Sequence, residues 1–288
     1  MKTGFIGLGG MGRGMAANLH RAGLLSVVYN RSYERAIEFA GAHGVTAADE
    51  IPTLAAECEL IFTCVSRDED VLDVIDAMLP ALRPGSIVVD CSTIAVDTAK
   101  EAARRLAERD ARFLDAPVSG GVEGARNGQL VMMVGGDPAV LERVRPALDA
   151  MSKAVTHMGE VGAGQATKAV NQIMAAGINQ AVTEALAFGQ ASGLDMDKVI
   201  QVVGGGAAGN WFVNHRGPTM TRGVFEPGFK VALHHKDLGI CRKMLEARGV
   251  ALPVVEMTLK HYERLMEQGH GEEDISALYR LKRAMFQA

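Results

Sequence analysis

The chain runs to 288 residues, 48% hydrophobic and 22% charged, with a formal net charge of -4. That length is about twice a usual domain and the composition is that of an ordinary soluble globular protein, while the charge offers no basic surface for nucleic acid. The longest apolar runs, such as 60–65, are strand length and far short of the ~20 residues a bilayer span takes, which excludes an integral membrane protein built on helices.

After Met1, Lys2 and Thr3 the sequence turns apolar, but Gly4, Gly7, Gly9, Gly10 and Arg13 break the stretch and no signal-peptide cleavage pattern follows. It reads as the first strand of the fold, at 3–8. Short β-branched apolar runs recur at 25–30, 60–65, 86–91, 113–116, 130–134 and 154–157, with helix-like stretches at 13–21, 33–42, 68–79 and 96–109. That alternation predicts an α/β unit, a doubly wound, largely parallel sheet covered by helices. Beyond Gly162-Ala163-Gly164 the texture changes. Residues 165–192 lack proline and set Val170, Ile173, Met174, Ile178, Ala181, Val182, Ala185 and Leu186 on a broad helical stripe, with Gly193 as the stop. Further helices are predicted at 197–203, 229–248, 253–268 and 275–286, so the expected organisation is an α/β domain at 1–162 and an all-α domain at 163–288. Cys58, Cys64, Cys91 and Cys241 form no C-x-x-C pair and point to a reducing cytoplasm; the histidines lack ligand spacing, so no metal is expected.

Gly7-Leu8-Gly9-Gly10-Met11-Gly12 is a G-x-G-x-x-G sequence, weak alone, that here follows a strand and opens a helix within a βαβ unit. Gly7 would permit the tight turn, Gly9 the approach of a pyrophosphate and Gly12 close helix–sheet packing, with the helix N-terminus facing the anion. A glycine turn without ligand is the alternative. An NAD site ends its second strand in Asp or Glu; this chain has Asn30-Arg31-Ser32 there, with Arg35 one helical turn on. Guanidinium and hydroxyl groups suit a 2′-phosphate, which favours NADP(H) with NAD(H) as the lesser cofactor. The competing reading makes Arg31 and Arg35 solvated surface cations of an enzyme that accepts both. Val65-Ser66 and Ser92-Thr93 close two strands at their carboxyl ends, where they either reach the ribose or nicotinamide or, for Ser92 and Thr93, cap the next helix.

Asp115-Ala-Pro-Val-Ser119-Gly120-Gly121 puts a serine and two glycines at a strand end, either a seat for a small carboxylate or a plain turn. Lys168 and Asn171 share one helix face, flanked by Gln172 and Ala175; by position alone Lys168 reads as a surface lysine laying its stem along the helix.

Four segments in order, GFIGLGGMG, DAPVSGGVEGA, GAGQATKAVNQ and KDLGI, resemble the β-hydroxyacid dehydrogenase family, which includes 3-hydroxyisobutyrate dehydrogenases and the tartronate, glyoxylate and succinic semialdehyde reductases. The resemblance implies a Rossmann-type domain followed by a helical domain that dimerises. It makes Lys168 the catalytic lysine with Asn171 its polar partner, and Ser119, Gly120 and Gly121 the loop for the substrate carboxylate. Thr93 is set against cofactor and substrate, Val65, Ser66 and Lys236 against the cofactor, and Phe229 and Asp237 at positions that line or close the site. The implied reaction interconverts a small hydroxy acid and its semialdehyde or oxo acid. Asn30-Arg31-Ser32 departs from the NAD-using hydroxyisobutyrate enzymes and resembles the NADPH-dependent branch.

Two rivals remain on the sequence, an imine reductase, which typically lacks the lysine, and a silent NADPH-binding module. The broad stripe of 165–192 suits a homodimer or homotetramer but equally a buried helix, and Trp211 reads as core or as pocket wall.

Overall fold

The computed structural model describes residues 1–287, which fall into two compact units, Met1–Lys168 and the described residues from Ala169 onward. In the first, β1 (Thr3–Ile6), β2 (Leu25–Tyr29), β3 (Thr46–Ala47), β4 (Leu60–Thr63), β5 (Ile87–Asp90) and β6 (Arg112–Asp115) run parallel in the order β3-β2-β1-β4-β5-β6. The sheet continues through β8 (Leu130–Gly135), antiparallel to β6 and to β7 (Val118–Ser119), with β9 (Ser152–Gly159) parallel to β8. Helices α1 (Gly12–Arg21), α2 (Tyr33–His43), α3 (Ile51–Glu57), α4 (Asp68–Met78), α5 (Val96–Ala107), α6 (Gly121–Asn127) and α7 (Pro138–Asp149) connect them.

Every residue of β1, β4 and β5 is buried, which explains apolar runs without polar alternation: helices cover both faces of a parallel sheet. Successive residues serve opposite faces. Phe5, Phe62 and Val89 enter one core, Ile6, Ile61 and Val88 the other. Because β1 pairs with both β2 and β4, the strand order reverses beside it, and the crevice at the carboxyl ends of β1 and β4 is where such sheets take ligands.

Helix α8 (Ala163–Ala191) begins in the first unit and continues into the second. It stops as expected at Gly193, whose φ is +75°; Leu194 and Gly193 donate their amides to the carbonyls of Gly189 and Gln190. Helices α9 (Met196–Gly204), α10 (Trp211–Thr221), α11 (Val231–Glu246), α12 (Pro253–Glu267) and α13 (Leu278–Ala284) follow, with a 3-10 turn at Ile275–Ala277. They close around Phe212, Leu238, Leu259, Tyr262 and Leu278. An α/β unit followed by a helical one is the expected class. The contact division falls at Lys168, after the first turn of α8, where the sequence reading set the boundary at 162. Among the described residues no helix is long and apolar enough to cross a membrane.

Candidate active site

At the carboxyl end of β1 the glycines take separate roles. Gly7 has a φ of +101°, and a Cβ there would collide with the Cys64 carbonyl oxygen; one on Gly12 would collide with the Gly7 carbonyl oxygen. A Cβ on Gly9 would meet nothing within 4 Å, so that backbone faces open space. At the N-cap of α1, Met11 offers no side-chain cap, so no side chain competes with an anion for the helix start, where the Arg13 amide already donates to the Gly9 carbonyl at 3.1 Å. A non-clashing loop, open space over Gly9 and an uncapped helix start fit a dinucleotide pyrophosphate.

Asn30 is committed to this loop: its Oδ1 accepts the Leu8 amide at 2.9 Å and its Nδ2 donates to the Ser32 carbonyl at 3.0 Å. Asn30 thus braces the loop with the groups expected to hydrogen-bond a phosphate. Arg31 is 89% exposed, with Nη1 3.4 Å from Asp70 Oδ1. Ser32 makes no side-chain cap for α2, and Arg35 is exposed in its first turn. Arg31, Ser32 and Arg35 therefore gather in solvent at the end of β2.

At the end of β5 the capping alternative for Ser92 is corrected. Its hydroxyl donates to Asp90 Oδ1 at 2.7 Å and accepts the Val65 amide at 2.9 Å, tying β4 to β5. The start of α5 is instead held by Asp68, whose Oδ1 accepts the Ala95 amide at 2.8 Å and the Thr98 hydroxyl at 2.6 Å. Ser66 is exposed and Thr93 half-buried. Gln165 brackets Thr93: Nε2 donates to the Ser92 carbonyl at 2.8 Å and Oε1 accepts the Ile94 amide at 3.2 Å.

Lys168 is 7% exposed, and Nζ donates to the Val118 carbonyl at 2.8 Å. The surface-lysine reading is thereby corrected, because the side chain runs inward to the residue before Ser119. Behind Ser119 the turn needs its two glycines, with φ of +135° at Gly120 and +64° at Gly121. Asp115 anchors the helix that carries Lys168. Its Oδ1 accepts the Gly162 amide at 2.7 Å and its Oδ2 the Gln165 amide at 2.8 Å. Burial pushes the Asp115 carboxyl up to about 6, against the downward pull of those two amides.

In the second unit, Asn171 Nδ2 donates to Gln172 Oε1 at 2.8 Å, Gln172 Nε2 donates to Asp237 Oδ2 at 2.6 Å, and Lys236 Nζ lies 2.9 Å from Asp237 Oδ1. Phe229 is half-buried and donates its amide to Asp274 Oδ2 at 3.1 Å. Trp211 is no core residue: it is 56% exposed, stacked on His215 with Arg216 over its ring. Asp115, Gln165, Gln172 and Asp274 were not singled out as site residues from the sequence. The first three stand inside or beside the quoted segments, a signal of position only. Among the described residues no three His, Cys, Asp or Glu side chains gather as a metal site.

A doubly wound sheet with this glycine loop at its reversal point defines an NAD(P)-binding oxidoreductase with a nicotinamide cofactor. The family model described as the NAD binding domain of 6-phosphogluconate dehydrogenase matches residues 2–159, and that described as NAD-binding of NADP-dependent 3-hydroxyisobutyrate dehydrogenase matches 162–282. Similar curated proteins include an uncharacterised oxidoreductase of Shewanella frigidimarina, 39% identical over 280 residues and 96% of each chain. The 2-hydroxy-3-oxopropionate reductase of Escherichia coli (strain K12) is 38% identical over 282 residues, again 96% of each chain. A solved 3-hydroxyisobutyrate dehydrogenase of Mycobacterium tuberculosis with L-serine superposes with a TM-score of 0.90 at 33% identity, covering 98% of this chain and 99% of that one. The chain belongs to the β-hydroxyacid dehydrogenase family, oxidoreductases that act on CH–OH groups.

Proposed function

We propose that the protein is an NADP(H)-preferring reductase of small semialdehyde or oxo acids, working reversibly on the matching hydroxy acids, with Lys168 as general acid and base. The observation that carries the reading is the buried Lys168, its Nζ held at 2.8 Å on the strand segment that leads into Ser119-Gly120-Gly121. When bound, the nicotinamide supplies or accepts the hydride. Ser119 and the Gly120 and Gly121 amides hold the substrate carboxylate, which fixes the carbonyl for attack. Lys168 gives its Nζ proton to the oxygen as the alcohol forms and takes it back in the oxidation. Asn171 orients that exchange. In this reading Thr93, bracketed by Gln165, is assigned to cofactor and substrate, Val65, Ser66 and Lys236 to the cofactor, and Phe229 and Asp237 to the substrate.

The preference for NADP(H) rests on the absent carboxylate at the end of β2 and on Arg31, whose guanidinium is 89% exposed. The names of the relatives, a 3-hydroxyisobutyrate dehydrogenase and a 2-hydroxy-3-oxopropionate reductase, support a short hydroxy acid. Val170, Met174 and Phe188 stand exposed along α8, which supports a homodimer or homotetramer. The cytoplasm is the compartment proposed, on the unpaired spacing of the cysteines.

Initial rates of NADPH and NADH oxidation against glyoxylate and succinic, methylmalonate and tartronate semialdehydes test the reading. We expect one substrate to be turned over with NADPH preferred, Lys168→Ala to lower kcat about 10²–10⁴-fold, and Arg31→Ala to raise the KM for NADPH and not for NADH. Turnover indifferent to Lys168, or tight NADPH binding with no turnover, would return the imine reductase and the silent binding module to the front.

A further inference from the structure

Neighbouring side chains on a helix do not normally face each other, yet Asn171 and Gln172 are joined by a 2.8 Å amide-to-amide hydrogen bond. Four groups of the second unit form a line: Lys236, Asp237, Gln172 and Asn171. Its polarity follows from one end. A carboxylate only accepts, so Asp237 Oδ2 takes the NH2 of Gln172 at 2.6 Å and never its carbonyl. The Gln172 carbonyl then points the other way and takes the NH2 of Asn171. With its NH2 turned to Gln172, Asn171 is left with its carbonyl oxygen Oδ1 to offer.

The line is stiff as well as directed. Gln172 is 2% exposed and Asp237 4%, so neither amide nor carboxylate has bulk water to turn toward. The backbone is pinned too. Asn179 Nδ2 donates to the Tyr262 hydroxyl at 2.9 Å, which leaves that hydroxyl proton for His234 Nδ1 at 3.0 Å. His234 Nε2 then carries the hydrogen that goes to the main-chain carbonyl of Gln172 at 3.2 Å.

We propose that Gln172 is a positioning residue, which transmits the charge of Asp237 to Asn171 and sets the Asn171 side chain as a hydrogen-bond acceptor. An acceptor suits a lysine ammonium or a substrate hydroxyl and disfavours a carboxylate, so Asn171 serves the reacting hydroxyl and proton donor and leaves the substrate carboxylate to other groups. This inference rests on the proposed role of Asn171, and its test separates the two.

The test is a cycle of variants in the full-length enzyme: Asn171→Ala, Gln172→Leu and Asp237→Asn, each alone, with the last two repeated in the Asn171→Ala background. Gln172→Leu keeps the volume and removes both bonds. Asp237→Asn keeps the shape and removes the charge that orders the amides, which keeps the question answerable if Gln172→Leu folds poorly. Expected is a kcat roughly tenfold to a hundredfold lower for each single variant, with the cofactor KM near wild type in Asn171→Ala and Gln172→Leu. In the Asn171→Ala background Gln172→Leu should not lower kcat further, and Asp237→Asn should lower it less than in the wild-type background, because there is no amide left to orient. Fold-losses that multiply across the cycle, or an unchanged kcat in Gln172→Leu and Asp237→Asn beside a damaged Asn171→Ala, would overturn the relay. An unchanged kcat in Asn171→Ala would instead overturn the role assigned to Asn171, and the relay with it.

Discussion

The two oxygens of Asp115 accept the Gly162 and Gln165 amides at the entry of α8, in a place so buried that the carboxyl rises to about 6 from an ordinary value of 3.8. Between those two pH values the folded chain keeps a proton that the unfolded chain has released, so this group's share of stability is whole below about 3.8 and is lost as pH rises through about 6. Asp115→Asn removes the titration. Relative to wild type the variant should gain stability as pH rises, by a few kcal/mol above about pH 6, while its kcat falls because an amide cannot accept both helix hydrogens. Denaturant unfolding at pH 5 and pH 8 with parallel rate measurements checks both; a variant that loses stability at pH 8 would show that the two amides outweigh burial. At this scale the sequence offered residue type without environment. Lys168 stood in a recognisable segment, but its burial depends on the Val118 carbonyl fifty positions earlier in the chain.

Helices α1 and α6 approach so closely that a Cβ on Gly14 would sit 2.8 Å from the Ala125 carbonyl carbon and the Arg126 nitrogen, and Asn18 Nδ2 donates to the Ala125 carbonyl at 2.6 Å. The contact joins the helix opened by the glycine loop to the helix opened by the Ser119 turn. Gly14→Ala should therefore lower stability by about 1–3 kcal/mol, since backbone cannot move aside as a side chain can. Gly41, inside α2 with nothing within 4 Å of its would-be Cβ, is the counterpart. Gly41→Ala should raise stability by about 0.5–1 kcal/mol, and thermal unfolding of the pair reads the contrast. The same features decide which elements were legible. Central strands and long helices declare themselves by apolar runs and periodicity, as β4 and α8 do. β3 and β7 are two residues each and exist only through their partners, α6 starts among glycines, and α10 carries Gly217 and Pro218 within it. Helix α7 did carry its signal, Asp137 accepting the Ala139 amide ahead of Pro138.

Over the whole molecule, burial governs the cysteines. Cys58 and Cys91 are within the sheet unit, with burial pushing Cys58 up to about 11 and Cys91 well above its ordinary value, and Cys241 is 1% exposed. A thiol reagent at neutral pH should modify at most Cys64 in the native enzyme and all four on unfolding; rapid native labelling of two or more would contradict this burial. What the sequence alone determined is the succession of strand, glycine turn and helix, the change to an all-helical second half, and the lack of a carboxylate at the end of β2. These are local properties, set by backbone conformation, hydrophobic period and residue type at a known offset. The tertiary structure alone decided that Lys168 lies buried, that Asp115 and Gln165 hold its helix and the Thr93 segment, and that Asp237 accepts the side-chain amide of Gln172. Each of those rests on a hydrogen bond between groups tens of residues apart, which no local periodicity encodes.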